Sequence, residues 1–199
     1  LTNTKDSKKE YKKIIKSTAN AIVKSINSEK SYAGPTPQEL KEIVKQESIL
    51  PETGLGYEKT FEKVKEIVLP NLLRPSSSDY MAHLHGASLL ETLSSELIIS
   101  TYNQSMDSWD QSPVATEIEV ETVKELCKLY GYDSHADGVF TSGGSQSNQT
   151  AIILARDWFC NEVLKHDVKK SGLPNNFSKL KMYTSEISHF SMEKSAHIL

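Results

Sequence analysis

The final third of this chain changes hydrophobic period twice, and no other feature restricts its fold as much. Gly138 to Ser142 reads as a short buried strand, Ser145 to Lys165 as a helix burying Ile152, Ala155, Phe159 and Val163, and Leu180 to Ser185 as a second strand. Strand, helix and strand in so short a span predict a βαβ unit, whose right-handed crossover sets both strands in one parallel sheet. The expectation is an α/β fold with no internal repeat.

Upstream the pattern is helical. The first 30 residues contain no glycine or proline, and Tyr11, Ile14, Ile15, Ala19, Ile22, Val23 and Ile26 recur at helical spacing. Asp6 and Glu10 interrupt the lysine-rich face, which reads as a solvated face or an arm on a partner subunit. Ser31 to Pro35 is a turn, and Thr36, Pro37 and Glu39 then match a capping box with proline at the first helical position, opening a helix that buries Leu40, Ile43 and Val44. Pro51, Gly54 and Gly56 break it; Tyr57, Phe61, Val64 and Val68 mark a third helix ending before Pro70. Beyond the loop Arg74 to Asp79 and the short aromatic stretch Tyr80 to His85, Leu89, Leu90, Leu93, Leu97 and Ile98 predict another helix. Asn103 to Pro113 is a polar loop around Trp109 whose composition suits a site-lining segment as well as a plain connection. Val123, Leu126, Cys127 and Tyr130 predict a helix closing at Gly131. The expected division is a helical segment over residues 1–115 and the start of an α/β domain over 116–199.

Charge and composition exclude several classes of function. The 23 Lys plus Arg against 26 Asp plus Glu leave no positive excess to neutralise a phosphate backbone, so nucleic acid is not the expected partner. No apolar run reaches the roughly 18 to 20 residues of a membrane helix, and the start lacks the apolar core of a secretion signal. Cys127 and Cys160 each sit in a helical apolar pattern, which reads as reduced core thiols and suits a cytoplasmic protein. The chain begins at Leu1 and stops at Leu199 inside a helix just begun, and the expectation is a fragment.

The chemistry concentrates in two stretches. TSGGSQSNQT, Thr141 to Thr150, lies where a strand hands over to a helix. Gly143 and Gly144 let the backbone approach a ligand, Ser142, Ser145 and Ser147 offer hydroxyls, and the helix behind presents unpaired N–H groups: an anion cradle, for which phosphate is the usual occupant. A tight turn with a serine helix cap is the alternative. The spacing is neither a Walker loop nor a dinucleotide fingerprint, since Ser147 holds the third glycine position of the latter. Gly143, Ser145 and Ser147 come within one residue of a nucleophile elbow, which keeps a serine hydrolase using Ser145 as a rival. TSEISHFSMEKSAHIL, Thr184 to Leu199, follows the second strand, so His189 is expected to face the same crevice as the glycine turn. His83 and His85 share one face of an extended segment, but no further ligand at recognisable spacing completes a metal site, and none is expected.

Together the two stretches resemble the group II pyridoxal-phosphate-dependent amino-acid decarboxylases. The family's Thr-Ser-Gly-Gly pattern followed by a hydroxyl residue, an asparagine and a helix ending in Ala-Arg stands here as Thr141 to Asn148 and Ala155-Arg156; its Ser-x-x-x-His-x-Ser-x-x-Lys pattern stands as Ser185, His189, Ser191 and Lys194. The segment running from Ala82 to Glu119 looks closest to the L-2,4-diaminobutyrate branch, with glutamate decarboxylase next. The resemblance implies the aspartate-aminotransferase-like fold type I of the PLP-dependent transferases, of which this chain would be the amino-terminal helical segment and an incomplete large domain. It implies pyridoxal 5'-phosphate as cofactor, Gly143, Gly144 and Ser145 on its phosphate, and His189 against its ring as the catalytic histidine. It implies an amino-acid substrate and a homodimer formed with the remaining polypeptide. The Schiff-base lysine and the acid pairing with the pyridine nitrogen lie beyond this chain in the family, and Lys194 matches a non-catalytic position, so the chain alone is expected to be inactive. A non-catalytic truncated protein binding partners through its helices is the rival from another class.

Overall fold

A computed structural model describes every residue except 27–29, 33 and 82. Ala33, in the expected turn Ser31 to Pro35, and Ala82, in the stretch Tyr80 to His85, therefore lie outside the described residues. The chain forms two compact units, Leu1–Gln104 and Ser105–Leu199.

The first unit follows its local signals closely. Helix α1, Lys5–Ser25, starts where the Thr4 side chain accepts from the Ser7 N–H. Helix α2, Pro37–Lys45, carries the full capping box: Glu39 N–H donates to Thr36 Oγ1, and the Thr36 N–H donates back to Glu39 Oε2 at 2.9 Å. Helix α3, Tyr57–Lys63, packs its Tyr57 and Phe61 rings at 5.4 Å and runs into a π-helical turn, Val64–Val68, then a 3-10 turn, Leu69–Asn71. The expected stop before Pro70 is thus a change of helix type. Proline has no N–H to continue the ladder, and the register widens so that Leu69 donates to Val64 O. Helix α4, Leu90–Tyr102, ends at Asn103 in the left-handed conformation. Hydroxyl pairs tie α1 to its neighbours: Tyr11 meets Thr101 of α4 at 2.9 Å, and Ser17 meets Tyr57 of α3 at 2.8 Å.

In the second unit, α5, Pro113–Leu129, closes as expected. Gly131 adopts φ 79°, its N–H reaching Lys128 O and that of Tyr132 reaching Cys127 O, a Schellman closure. Helix α6, Gly144–Glu162, is followed by the short α7, Val168–Ser171, and by α8, Ser191–Ile198, which packs on α6. Cys127 and Cys160 are both free thiols, and Cys160 is fully buried.

Two expectations fail here. Gly138 to Ser142 and Leu180 to Ser185 form no strand among the described residues, so the βαβ unit is not completed within the chain. A strand exists only as a hydrogen-bonded ladder, and these two segments do not pair with each other. The apolar face of α6 is not buried either: Phe159 and Val163 are exposed, and the face opens on a cavity of about 1060 Å³ lined also by Phe177 and Met182. Among the described residues, Val123 and Cys160 are the buried hydrophobic ones. The chain exposes 16825 Å², whereas two separate globules of half its mass would expose about 11,300 Å² together. Helices form here on local signals; most of their apolar faces remain open.

The Thr36 hydroxyl and N–H hold the Glu39 carboxyl below its ordinary value of 4.5. A carboxyl lowered by folding contributes stability that is present above pH 4.5 and lost as the pH falls through the folded value. Thr36→Ala should therefore return the Glu39 titration toward 4.5 and increase amide exchange in the first turn of α2, as followed by NMR. An unchanged Glu39 titration would contradict the reciprocal cap.

Candidate functional site

The turn into α6 leaves its donors uncapped. Gly143 is the N-cap, no side chain caps it, and the first helical bond runs from the Ser147 N–H to Gly143 O at 3.0 Å. Ser142 donates from its N–H and hydroxyl to Gln146 Oε1 at 3.0 and 2.6 Å, which folds the loop back on the first helical turn. Among the described residues nothing accepts from the N–H groups of Gly144, Ser145 and Gln146. The serine-capped turn, the plainer of the two readings, is not what forms. Three convergent donors remain at the positive end of a 19-residue helix.

The glycine pair has no reason inside the chain. Gly143 at φ 166° is extended backbone that any residue adopts, and a Cβ at Gly143 or Gly144 would meet nothing within 4 Å. What the missing side chains keep open is the space over the free N–H groups. That space is a cavity of about 520 Å³, within the range of small-molecule sites. The glycine turn, Ser142 and Ser145 line one side; Ser191, Lys194 and Ser195 of α8 line another. Its lining contains a lysine and no carboxylate, which suits an anion such as a phosphate monoester. The larger cavity along α6 is mainly apolar and contains none of these donors.

Helix α8 comes close because its inward positions are small: Ser191 and Ser195 are 1% and 4% exposed. Asn148 Nδ2 donates to Ser191 Oγ at 2.8 Å across the two helices. His189 is not among the residues lining the cavity; it is joined to one of them, its Nδ1 lying 2.7 Å from Ser191 Oγ, with the Phe190 ring packed 4.2 Å away. The structure thus gathers Gly143, Gly144 and Ser145 at one cavity and holds His189 at its edge through Ser191.

The remaining sequence candidates fall elsewhere. No hydrogen bond links Ser145 to a histidine among the described residues, and His189 is engaged with Ser191 instead. His83 and His85 pack against Tyr80, at 6.3 and 6.1 Å between ring centroids. In the polar loop, Trp109 Nε1 donates to Glu117 Oε1 at 2.8 Å, and none of residues 105–113 lines the cavity. Gln146 and Ser195 went unread in the sequence. The small-residue spacing of Ser191 and Ser195, one helical turn apart with Lys194 between them, was the available signal.

Comparison with known proteins gives the family and the fold. Residues 37–199 match the family model described as the pyridoxal-dependent decarboxylase conserved domain. The L-2,4-diaminobutyrate decarboxylase of Acinetobacter baumannii is 34% identical over 98% of this chain and 39% of its own length; that of Rhizobium meliloti (strain 1021) is 37% identical over 84% of this chain and 31% of its own. The chain therefore spans under two fifths of these curated relatives. Among solved structures, the glutamate decarboxylase domain of diaminobutyrate-pyruvate transaminase and L-2,4-diaminobutyrate decarboxylase from Vibrio parahaemolyticus superposes with a TM-score of 0.92 at 33% identity, covering 100% of this chain and 43% of that one. Oryza sativa TDC with PLP and tryptamine superposes at 0.73 and 18% identity over 100% of this chain and 42% of that one, a likeness of fold.

The open glycine turn makes a sharp expectation. Gly143→Val and Gly144→Val should leave the fold unchanged, because a Cβ added at either position meets nothing within 4 Å, while the added methyl groups fill the space beside the free N–H groups. Binding of inorganic phosphate, followed by ³¹P NMR, should weaken at least about tenfold. Equal affinity in parent and variants would show that the anion is held elsewhere.

Proposed function

The chain belongs to the pyridoxal-dependent decarboxylase family, and from that membership we propose that it forms the cofactor-phosphate side of an amino-acid decarboxylase. Its fold is that of the fold type I PLP-dependent enzymes it superposes on, the aspartate-aminotransferase-like α/β class. One observation carries the functional reading: the acid-free cavity in which uncapped helix donors, serine hydroxyls and Lys194 converge over two glycines.

The residues present fit pyridoxal 5'-phosphate. Gly143, Gly144 and Ser145 hold the phosphate through backbone N–H groups and the Ser145 hydroxyl, and the helix dipole and Lys194 add positive potential. His189, held at the cavity's edge through Ser191, would pack against the cofactor's ring and orient it. The bound cofactor supplies an electron sink for the pair left behind when the α-carboxylate departs as carbon dioxide. This chain's own residues bind and orient; the anchoring lysine belongs to another part of the whole protein, so the chain by itself releases no carbon dioxide.

The substrate we propose is L-2,4-diaminobutyrate ahead of glutamate, because the two curated relatives described above carry the former name. The whole enzyme is proposed to be a cytoplasmic homodimer, with residues 1–115 as a helical amino-terminal segment and 116–199 opening the cofactor-binding domain. No helix among the described residues is long and apolar enough to cross a membrane, and Leu90, Ile98 and Ile99 of α4 stand exposed and open to a partner surface.

The test is made on the whole protein carrying these residues. Loaded with pyridoxal 5'-phosphate, it should release carbon dioxide from L-2,4-diaminobutyrate faster than from glutamate, and His189→Ala should lower kcat by about 10²-fold or more. Full cofactor binding with no carbon dioxide from either amino acid would overturn the assignment.

A further inference from the structure

We infer that Asn148 and Ser191 are positioning residues that lock His189 into one tautomer, with its proton on Nε2. The directions of the hydrogen bonds follow from donor chemistry. The Ser191 backbone N–H lies 3.2 Å from His189 Nδ1 and can only donate, so Nδ1 presents a lone pair. A neutral imidazole carries one ring proton, which therefore sits on Nε2. The Ser191 hydroxyl lies 2.7 Å from the same Nδ1 and donates to it as well. That hydroxyl has a single proton, and its other close neighbour, the Asn148 amide nitrogen at 2.8 Å, is a donor. The order of donation is thus Asn148 to Ser191 to His189. Ser191 is 1% exposed, so no bulk water competes for its hydroxyl, and the Phe190 ring 4.2 Å away limits rotation of the imidazole.

The relay spans two elements. Asn148 stands in the second turn of α6, behind the glycine turn, and Ser191 opens α8. The packing that shapes the anion cavity also orients the imidazole. The meaning of this for catalysis rests on the reading of His189 as the group against the cofactor: there neutral His189 offers an N–H hydrogen-bond donor at Nε2 and no free lone pair, which makes it a group that holds an acceptor in place and not a base that removes a proton.

The test reads the ring directly and needs no cofactor. In long-range ¹H–¹⁵N correlation spectra of the cofactor-free whole protein carrying ¹⁵N-labelled histidine, recorded at a pH well above the ordinary histidine range, His189 should show a pyridine-like Nδ1 and a pyrrole-like Nε2, with its signals assigned by their loss in His189→Gln. Ser191→Ala should shift the tautomer ratio toward Nδ1–H by about fivefold, the loss of one ordinary hydrogen bond, and Ser191→Thr should restore it. Asn148→Asp keeps the shape of the amide but takes the Ser191 proton for itself, and should reproduce the shift of Ser191→Ala even if the latter folds poorly. Averaged nitrogen shifts in the parent, or an unchanged ratio in both Ser191→Ala and Asn148→Asp, would overturn the inference. Cofactor binding is read separately by absorbance titration of the whole protein: a locked tautomer without binding sinks the functional reading alone, and binding with an averaged tautomer sinks the relay alone.

Discussion

The contact between α6 and α8 is what the rest of the site depends on. Asn148 and Ser191 meet at 2.8 Å across it, and the near-complete burial of Ser191 and Ser195 shows how closely the two helices approach. If α8 moved away, the cavity would lose Lys194 and both serines, and the uncapped N-terminus of α6 would face solvent alone. A helix terminus is a weak anion site by itself; a second wall carrying hydroxyls and a cation makes it selective. The same contact carries the hydrogen bonds that reach His189, so the cavity beside the glycine turn and the imidazole are positioned by one piece of packing.

Local signals are legible in the sequence wherever short-range chemistry decides the outcome. The capping box at Thr36 and Glu39 forms in full, and Gly131 closes α5 by the left-handed turn its position predicts. In both cases the partners are three to five residues apart, so no tertiary partner is needed. The glycine turn was equally legible, because two adjacent glycines before a helix have few other uses. The structure adds that neither φ nor neighbouring atoms require them, which turns attention to the open space beside them.

Features that depend on distant partners were less legible. The apolar runs at Gly138 to Ser142 and Leu180 to Ser185 have strand composition, yet a strand needs a neighbour to bond with and they are not each other's. The face of α6 that carries Phe159 and Val163 has core periodicity without a core against it. Pro70 carries the signal of a helix stop, yet the chain widens its helical register to pass it, a response that depends on where the widened ladder finds its carbonyls. The relay through Ser191 was visible only as a motif residue; its hydrogen-bond order required coordinates.

The most direct measurement of the central claim is an experimental structure of the whole protein with pyridoxal 5'-phosphate bound. Phosphate oxygens are expected at about 2.7 to 3.2 Å from the backbone N–H groups of Gly144 and Ser145, with the imidazole of His189 against the pyridine ring. A cofactor phosphate bound away from the Gly143–Ser145 turn, with those N–H groups left to solvent, would contradict it.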